Sequence, residues 1–162
     1  MIAFPDTSYL FALYRPQDNS VAARTHYAAM VEPLTISSLL AFEFRQSMRF
    51  QAWLHARDSR KGVPARQATQ TLADLAANLA SGALDVAPVE WADVHRIGER
   101  LSVTYTKTHG HRAMDVLHVA TAIHLGVEEL LSFDGNQRKL AKAEGLVVKP
   151  ALPRTTAHRI VP

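Results

Sequence analysis

The chain contains no cysteine among its 162 residues. This absence excludes a disulfide-stabilised scaffold and any zinc site built on thiolates, and it fits a reducing compartment. Uncharged apolar runs stay shorter than the roughly 18 to 20 residues that a membrane-spanning helix needs. The opening segment MIAFPDTSYLF has no basic residues before its apolar run, so we expect no secretory signal. These absences predict a cytoplasmic protein without membrane contact.

The composition is otherwise ordinary for a globular protein, with 48% hydrophobic and 20% charged residues. It excludes a disordered or fibrous chain, and the length suits one domain with a sizeable core. The formal net charge of +3 favours nucleic acid or another polyanion as a partner, but only weakly. Solubility alone explains this charge equally well.

Short apolar runs alternate with longer helical segments along the chain. The candidate strands are MIAF, PLTIS, LDVAPV, EELLSF and LVVKP. Between them, SLLAFEFRQSMRFQAWLHA repeats Leu40, Phe44 and Met48 at the four-residue spacing of an amphipathic helix. This alternation predicts an α/β domain with a mostly parallel sheet over residues 1–150. A basic, proline-containing tail follows over residues 151–162.

Acidic residues stand where the predicted strands end. Asp6 follows the first strand and Asp134 follows EELLSF, while Glu43 lies two turns into the helix after PLTIS. Asp115 lies in the first turn of the apolar helix in RAMDVLHVATAIHLG. Ligands of parallel sheets bind outside the carboxyl ends of the strands. We therefore expect Asp6, Glu43 and Asp134 near one edge, and Asp115 beside them if its helix starts there.

Each acid also has a purely structural interpretation. Asp6 fits a helix N-cap, and Asp134 with Gln137 three residues later fits a capping box. Glu43 fits the solvated face of its helix. The helix dipole favours Asp115 in a first turn, although its neighbours look buried and an unpaired buried carboxylate is costly.

Four carboxylates at one edge would repel each other and raise one another's pKa, so the cluster requires a cation. Magnesium and manganese ions prefer oxygen ligands and commonly bridge to phosphate. Ser8 and Ser132, each two residues from an acid, would hold the ligands or a water, unless they only cap local turns. Metals held by carboxylates serve phosphodiester hydrolysis, which suits a basic protein acting on a polyanionic substrate.

Four motifs carry a resemblance to a known family, in matching order and spacing. They are DTSYLFAL, SSLLAFEFRQ, RAMDVLHVATAIHLG and LLSFDGNQRKLAKAEGL. Over Met1–Lys149 the chain resembles PIN-domain ribonucleases, and most closely the VapC-like toxins of type II toxin–antitoxin pairs.

The resemblance implies an α/β/α sandwich and endonucleolytic RNA cleavage by metal-activated water. It implies that Mg²⁺ or Mn²⁺ is held by an acidic quartet of Asp6, Glu43, Asp115 and Asp134. It further implies a homodimer and a cognate antitoxin whose tail occupies the acidic pocket.

Two positions depart from the family pattern. Pro5 precedes Asp6 where a strand residue is commoner, and because proline lacks an N–H we expect Phe4 to be the last fully paired residue. His118 stands where some relatives carry a further acid. We expect it to bond a carboxylate or the backbone near the site.

Other residues admit a role in binding. His111, Asp115 and His118 would suit a transition-metal site if they shared a helix face, which is a weaker alternative. Basic side chains near the Glu43 helix would contact RNA phosphates, or simply form exposed surface: Arg45, Arg49, Arg57, Arg60, Lys61 and Arg66. Trp53 and Trp91 are expected in the core or an interface.

Three competing functions remain at this stage. One is a solitary PIN-domain RNA-processing nuclease, and another is a non-catalytic RNA- or protein-binding module with the same fold. The third is a phosphatase of the haloacid-dehalogenase type, which also begins with an aspartate at a strand end. Such phosphatases want a second aspartate two residues later, where this chain has Ser8.

Overall fold

The computed structural model describes residues 3–152, so the predicted tail lies almost entirely outside the described residues. The strands are β1 (Ala3–Pro5), β2 (Leu34–Ile36), β3 (Leu84–Val86), β4 (Glu129–Leu131) and β5 (Val147–Lys149). The helices are α1 (Thr7–Tyr14), α2 (Ser20–Ala28), α3 (Ser38–Arg57), α4 (Ala65–Ser81), α5 (Trp91–Leu101), α6 (Lys107–His109), α7 (Ala113–His124) and α8 (Gly135–Ala143).

Every strand pair is parallel. β4 lies between β1 and β5 in one hydrogen-bonded sheet, and β2 pairs with β3 in a second. β1 and β2 lie side by side, which gives the spatial order β3-β2-β1-β4-β5. The helices pack mainly within two groups, α1 to α4 and α5 to α8. The predicted α/β/α architecture with a parallel sheet is confirmed.

Pro5 shapes the centre of this arrangement. The strand pairing continues past Phe4, although Pro5 itself lacks the N–H of a fully paired residue: Pro5 is in register with Leu131, and the N–H of Asp6 donates to the carbonyl of Leu131 at 2.9 Å. Successive N–H groups of a strand point to opposite sides, so the ring nitrogen of Pro5 faces β2 and has no hydrogen to donate. This explains why the two sheets contact without a shared ladder.

Helix α3 is anchored by the predicted apolar stripe. Leu40, Phe44 and Met48 are fully buried, and the Ser37 hydroxyl accepts from the N–H of Leu40 to cap the helix. Because this buried stripe fixes the rotation of α3 about its axis, it also fixes the position of Glu43 near the carboxyl ends of the strands. The Glu43 side chain is one-quarter exposed.

The predicted helix after Val89 is not uniform. α5 continues through a π-helical segment, Ser102–Thr106, into the short turn α6. α7 then begins at Ala113, and its residues from Val116 to Ala122 are largely buried. This burial holds Asp115, in the first turn of α7, in a fixed position. Among the described residues, no helix has the length and apolarity to cross a membrane.

Candidate active site

Asp6 lies at the centre of the polar network at the strand ends, and its side chain is completely buried. Its Oδ1 accepts hydrogen bonds from Ser8 Oγ at 2.6 Å and from the N–H of Tyr9 at 2.8 Å. Its Oδ2 accepts from Ser132 Oγ at 2.5 Å. Asp6 therefore caps α1, and it also joins α1 to the segment after β4.

Burial raises the pKa of Asp6 above its ordinary value, and the hydrogen bonds from Ser132, Ser8 and Tyr9 offset only part of that effect. The charge of His118 also lowers this pKa in part. Desolvation therefore disfavours the ionised form of Asp6. This is the electrostatic condition that a bound cation relieves.

Arg138 is a nearby cation that sequence reasoning missed. Its side chain is buried, and its guanidinium donates to the carbonyl of Ser132 at 2.5 Å. Burial lowers the pKa of Arg138, while the charge of Asp6 raises it in part. Arg138 therefore lies close enough to Asp6 to feel its charge. Its position in the amphipathic segment NQRKLAKAE gave no signal of this role.

Glu43 is held by two side chains from different helices. Its Oε2 lies 2.5 Å from His118 Nε2 on α7 and accepts a hydrogen bond from Thr7 Oγ1 on α1. Burial alone would raise the pKa of Glu43, but the hydrogen bond and charge of His118, with the bond from Thr7, leave it lowered. The carboxylate form of Glu43 is therefore favoured. Thr7 is the residue after Asp6, so its hydrogen bond to Glu43 brings the Glu43–His118 pair near Asp6.

Gln137 connects the two remaining acids. Its Nε2 donates to Asp115 Oδ1 at 3.1 Å, and its backbone N–H donates to Asp134 Oδ1 at 2.9 Å. Asp134 also accepts from the N–H of Asn136 at 2.8 Å, so it caps α8 as its structural interpretation predicts. The capping box is not reciprocal, because the Gln137 side chain turns to Asp115. Asp115 Oδ2 accepts from the N–H of Arg112.

Hydrogen bonds therefore link three of the acids, Asp6, Asp134 and Asp115. Glu43 forms a separate cluster with His118 and Thr7, and this cluster is joined to Asp6 through the chain, because Thr7 follows Asp6. Ser132 Oγ, bound to Asp6, accepts from the N–H of Asp134 at 3.0 Å, and Ser8 Oγ accepts from the N–H of Phe133 at 2.8 Å. Within residues 3–152, however, no three acidic or histidine side chains are arranged closely enough to enclose a metal ion. Protein donors satisfy the carboxylates instead, as the contacts of Glu43 and Asp115 show.

His111 does not share a helix face with Asp115 and His118, because it precedes the first residue of α7. It is buried and lines a cavity of about 440 Å³ between α5 and α7, together with Ala113, Val116 and other residues. Helix periodicity places this face of α7 opposite Asp115. This cavity is therefore separate from the acidic network.

The basic residues named from the sequence are distributed along α3 and the turn after it. Arg60 and Lys61 both pair with Asp58, at 3.0 Å and 3.7 Å. Arg49, Arg57 and Arg66 are exposed, and Arg45 is partly buried.

The two tryptophans differ in their surroundings. Trp53 is 47% exposed and therefore lies outside the core. It stacks on Phe50, and the guanidinium of Arg57 lies 3.8 Å from its ring centre. Trp91 is partly buried and packs against the core.

The fold and site define a class of protein: a parallel α/β/α domain with linked carboxylates at the carboxyl ends of β1 and β4. The chain belongs to the PIN domain family, which matches residues 3–143. Among curated proteins, no sequence matches this chain significantly.

Solved structures share the fold at low sequence identity. VapC20 from Mycobacterium tuberculosis, a toxin that cleaves the sarcin–ricin loop, is 22% identical with a TM-score of 0.61, over 90% of this chain and 96% of its own. FitAcB from Neisseria gonorrhoeae is 18% identical with a TM-score of 0.59, over 91% and 96%. VapBC-1 from nontypeable Haemophilus influenzae is 14% identical with a TM-score of 0.59, over 92% and 97%.

Proposed function

We propose that this chain is a divalent-metal-dependent endoribonuclease that acts as the toxin of a toxin–antitoxin pair. The observation that carries the proposal is the hydrogen-bonded network of Asp6, Asp134 and Asp115 at the carboxyl ends of β1 and β4. Glu43 lies beside this network, held by Thr7, the residue after Asp6. Membership of the PIN domain family supports a nuclease. The fold shared with VapC20, FitAcB and VapBC-1 supports an antitoxin partner.

The donor set has the chemistry that a hard divalent cation prefers, because all four side chains offer carboxylate oxygens. Within residues 3–152 these carboxylates are not gathered around one point, so binding an ion would require the side chains to move. Burial raises the pKa of Asp6, and a bound cation would favour its ionised form. Asp6, Glu43, Asp115 and Asp134 would hold Mg²⁺ or Mn²⁺. When bound, the ion would activate a water and offset the negative charge of the phosphodiester.

The remaining residues of the network orient the acids. Ser8 and Ser132 hold both oxygens of Asp6, while Thr7 and His118 keep Glu43 ionised. Gln137 must release Asp115 if that carboxylate is to bind an ion through Oδ1. No side chain of the network needs to act as a covalent nucleophile, because water attacks the phosphorus.

The proposal also includes the substrate, the inhibitor and the oligomeric state. The substrate is RNA, the inhibitor is an antitoxin whose tail would reach the acidic edge, and the active assembly is a homodimer. Purified protein should cleave single-stranded RNA only when Mg²⁺ or Mn²⁺ is added. Growth arrest on expression, relieved by the product of a neighbouring reading frame, would identify a toxin. Metal-dependent cleavage without growth arrest would instead identify a solitary processing nuclease.

The phosphatase alternative receives no support from the site. Ser8, at the position where a second aspartate is wanted, donates to Asp6 Oδ1 and thereby fixes it in place. Release of phosphate from small phosphoesters without RNA cleavage would reverse this conclusion. A binding module without catalysis would show neither Mn²⁺ binding by calorimetry nor metal-dependent cleavage.

A further inference from the structure

A groove of about 360 Å³ opens beside the acidic edge, between α1, α3 and the start of α8. Ser8 and Asp134 belong to both the groove and the acidic network. The groove also contains Arg15 at the end of α1, and the amides of Gln17, Asn19 and Gln51. Its lining therefore changes from acidic to cationic and neutral polar along α1.

Arg15 is the cation of this groove, and its charge is poorly compensated. Its Nε is buried without a hydrogen-bond partner among the described residues. The ion pairs within residues 3–152 do not include Arg15. Burial lowers its pKa, with no contribution from a neighbouring acid. The guanidinium therefore carries a positive charge that no acid in the described part of the chain neutralises, and an anionic ligand in the groove would neutralise it.

The local structure holds Arg15 in place before any ligand arrives. Its guanidinium carbon lies 5.5 Å from the ring centre of Phe11, which packs on buried Phe44 at 4.9 Å. Ser20 Oγ donates to the carbonyl of Arg15 at 2.7 Å and accepts from the N–H of Gln17 at 2.9 Å. This turn fixes the backbone after α1, so binding an anion costs little ordering of the loop.

The distance between Arg15 and the acidic residues indicates which part of a ligand Arg15 would contact. Arg15 follows Ser8 by seven positions, which corresponds to about 10 Å along the axis of α1. Asp134 lines the same groove without pairing with Arg15, so the cation and the acids act on different parts of one ligand. Arginine binds phosphate through two parallel N–H groups.

We infer that the groove from Asp134 to Arg15 binds the RNA strand, and that the Arg15 guanidinium holds a phosphate a few nucleotides from the cleaved bond. The amides of Gln17, Asn19 and Gln51 suit the sugar and base edges of the same strand. This inference rests on the proposed function and assigns it a positioning residue. Phosphate contacts of this kind fix register and affinity without taking part in the chemistry.

The test measures RNA binding separately from cleavage. Full-length protein is titrated in EDTA against a fluorescein-labelled single-stranded RNA oligonucleotide, and anisotropy gives the Kd. Arg15→Met should weaken binding about tenfold and make the salt dependence of log Kd shallower by about 0.7, because one phosphate contact is lost. Arg15→Lys should have a Kd between those of wild type and Arg15→Met. Arg96→Met, which removes an exposed α5 cation paired with Asp93, is the matched control and should bind as wild type.

In Mn²⁺-dependent cleavage, Arg15→Met should raise KM and leave kcat unchanged, and its thermal unfolding should match that of wild type. Unchanged RNA affinity and salt dependence in Arg15→Met would overturn the inference. The same conclusion would hold if this variant bound RNA normally but lost affinity for an acidic peptide. Wild-type protein that binds RNA through Arg15 but never cleaves it would contradict the proposed function alone. The two failures are therefore distinguishable.

Discussion

Ser132 Oγ lies 2.5 Å from Asp6 Oδ2 and donates a hydrogen bond to it. The two residues follow β4 and β1, which pair in parallel, so the bond ties the carboxyl ends of neighbouring strands together. The same hydroxyl accepts from the N–H of Asp134. One side chain thus couples the buried acid to the cap of α8, and it governs how well Asp6 tolerates its charge.

Ser132→Ala should destabilise the protein by about 1–3 kcal/mol near neutral pH, because a buried charged acceptor loses its donor. It should also raise the pKa of Asp6 further, since the hydrogen bond lowers it. A carboxyl group whose folded pKa is raised contributes stability at low pH and loses it as pH rises through that pKa. The loss of unfolding free energy in Ser132→Ala relative to wild type, measured by urea unfolding, should therefore grow as pH rises.

Ser59→Ala is the control for this prediction, because Ser59 is exposed in the turn after α3. It should unfold as wild type at every pH. A Ser132→Ala deficit that stays constant with pH would show that the hydroxyl does not act through the charge of Asp6.

The Glu43–His118 contact should stabilise the fold in a pH-dependent way. A double-mutant cycle with Glu43→Gln and His118→Asn should give a coupling free energy of about 1–3 kcal/mol at neutral pH. The pKa of Glu43 is lowered, so this stabilisation is present above its ordinary value and is lost as pH falls through the lowered one. Urea unfolding of the four proteins at pH 7 and in strong acid gives the coupling free energy at each pH. Equal coupling at both pH values would contradict the role of the ionised carboxylate.

The basic turn after α3 should contribute unequally to RNA binding. Asp58 already neutralises part of the charge of Arg60 and Lys61, so Arg60→Ala should change RNA affinity less than about twofold. Arg49→Ala, on the exposed surface of the Glu43 helix, should weaken binding several-fold. Anisotropy titrations in EDTA compare the two variants. A larger effect at Arg60 than at Arg49 would contradict this ranking.

Local sequence signals predicted the elements well, because their causes are local. The four-residue spacing of Leu40, Phe44 and Met48 predicted α3 and its buried face. Gly82, at φ +76°, ends α4 where the sequence predicted, since a left-handed conformation suits glycine. The strand-end rule similarly brought Asp6 and Asp134 to one edge of the sheet.

Contacts between distant segments were less predictable. His118 meets Glu43 across 75 positions of the chain, and Gln137 turns to Asp115 instead of completing its own capping box. Arg138 is buried beside Ser132 because α8 packs back against β5, which the periodicity of α8 does not reveal. Such contacts depend on how helices rotate against the sheet. Sequence patterns predicted that Ser8, Ser132 and His118 lie beside the acids, but they did not predict the contacts of Thr7, Gln137 and Arg138.

Mn²⁺-dependent cleavage of single-stranded RNA by Asp6→Asn and Asp115→Asn variants tests whether the acidic residues at the strand ends form the active site. Both substitutions keep the side-chain volume, so circular dichroism should show an intact fold. The account predicts that each variant loses at least about a hundredfold in cleavage rate, because carboxylates proposed to hold the metal become neutral amides. Full activity in both correctly folded variants would contradict the account.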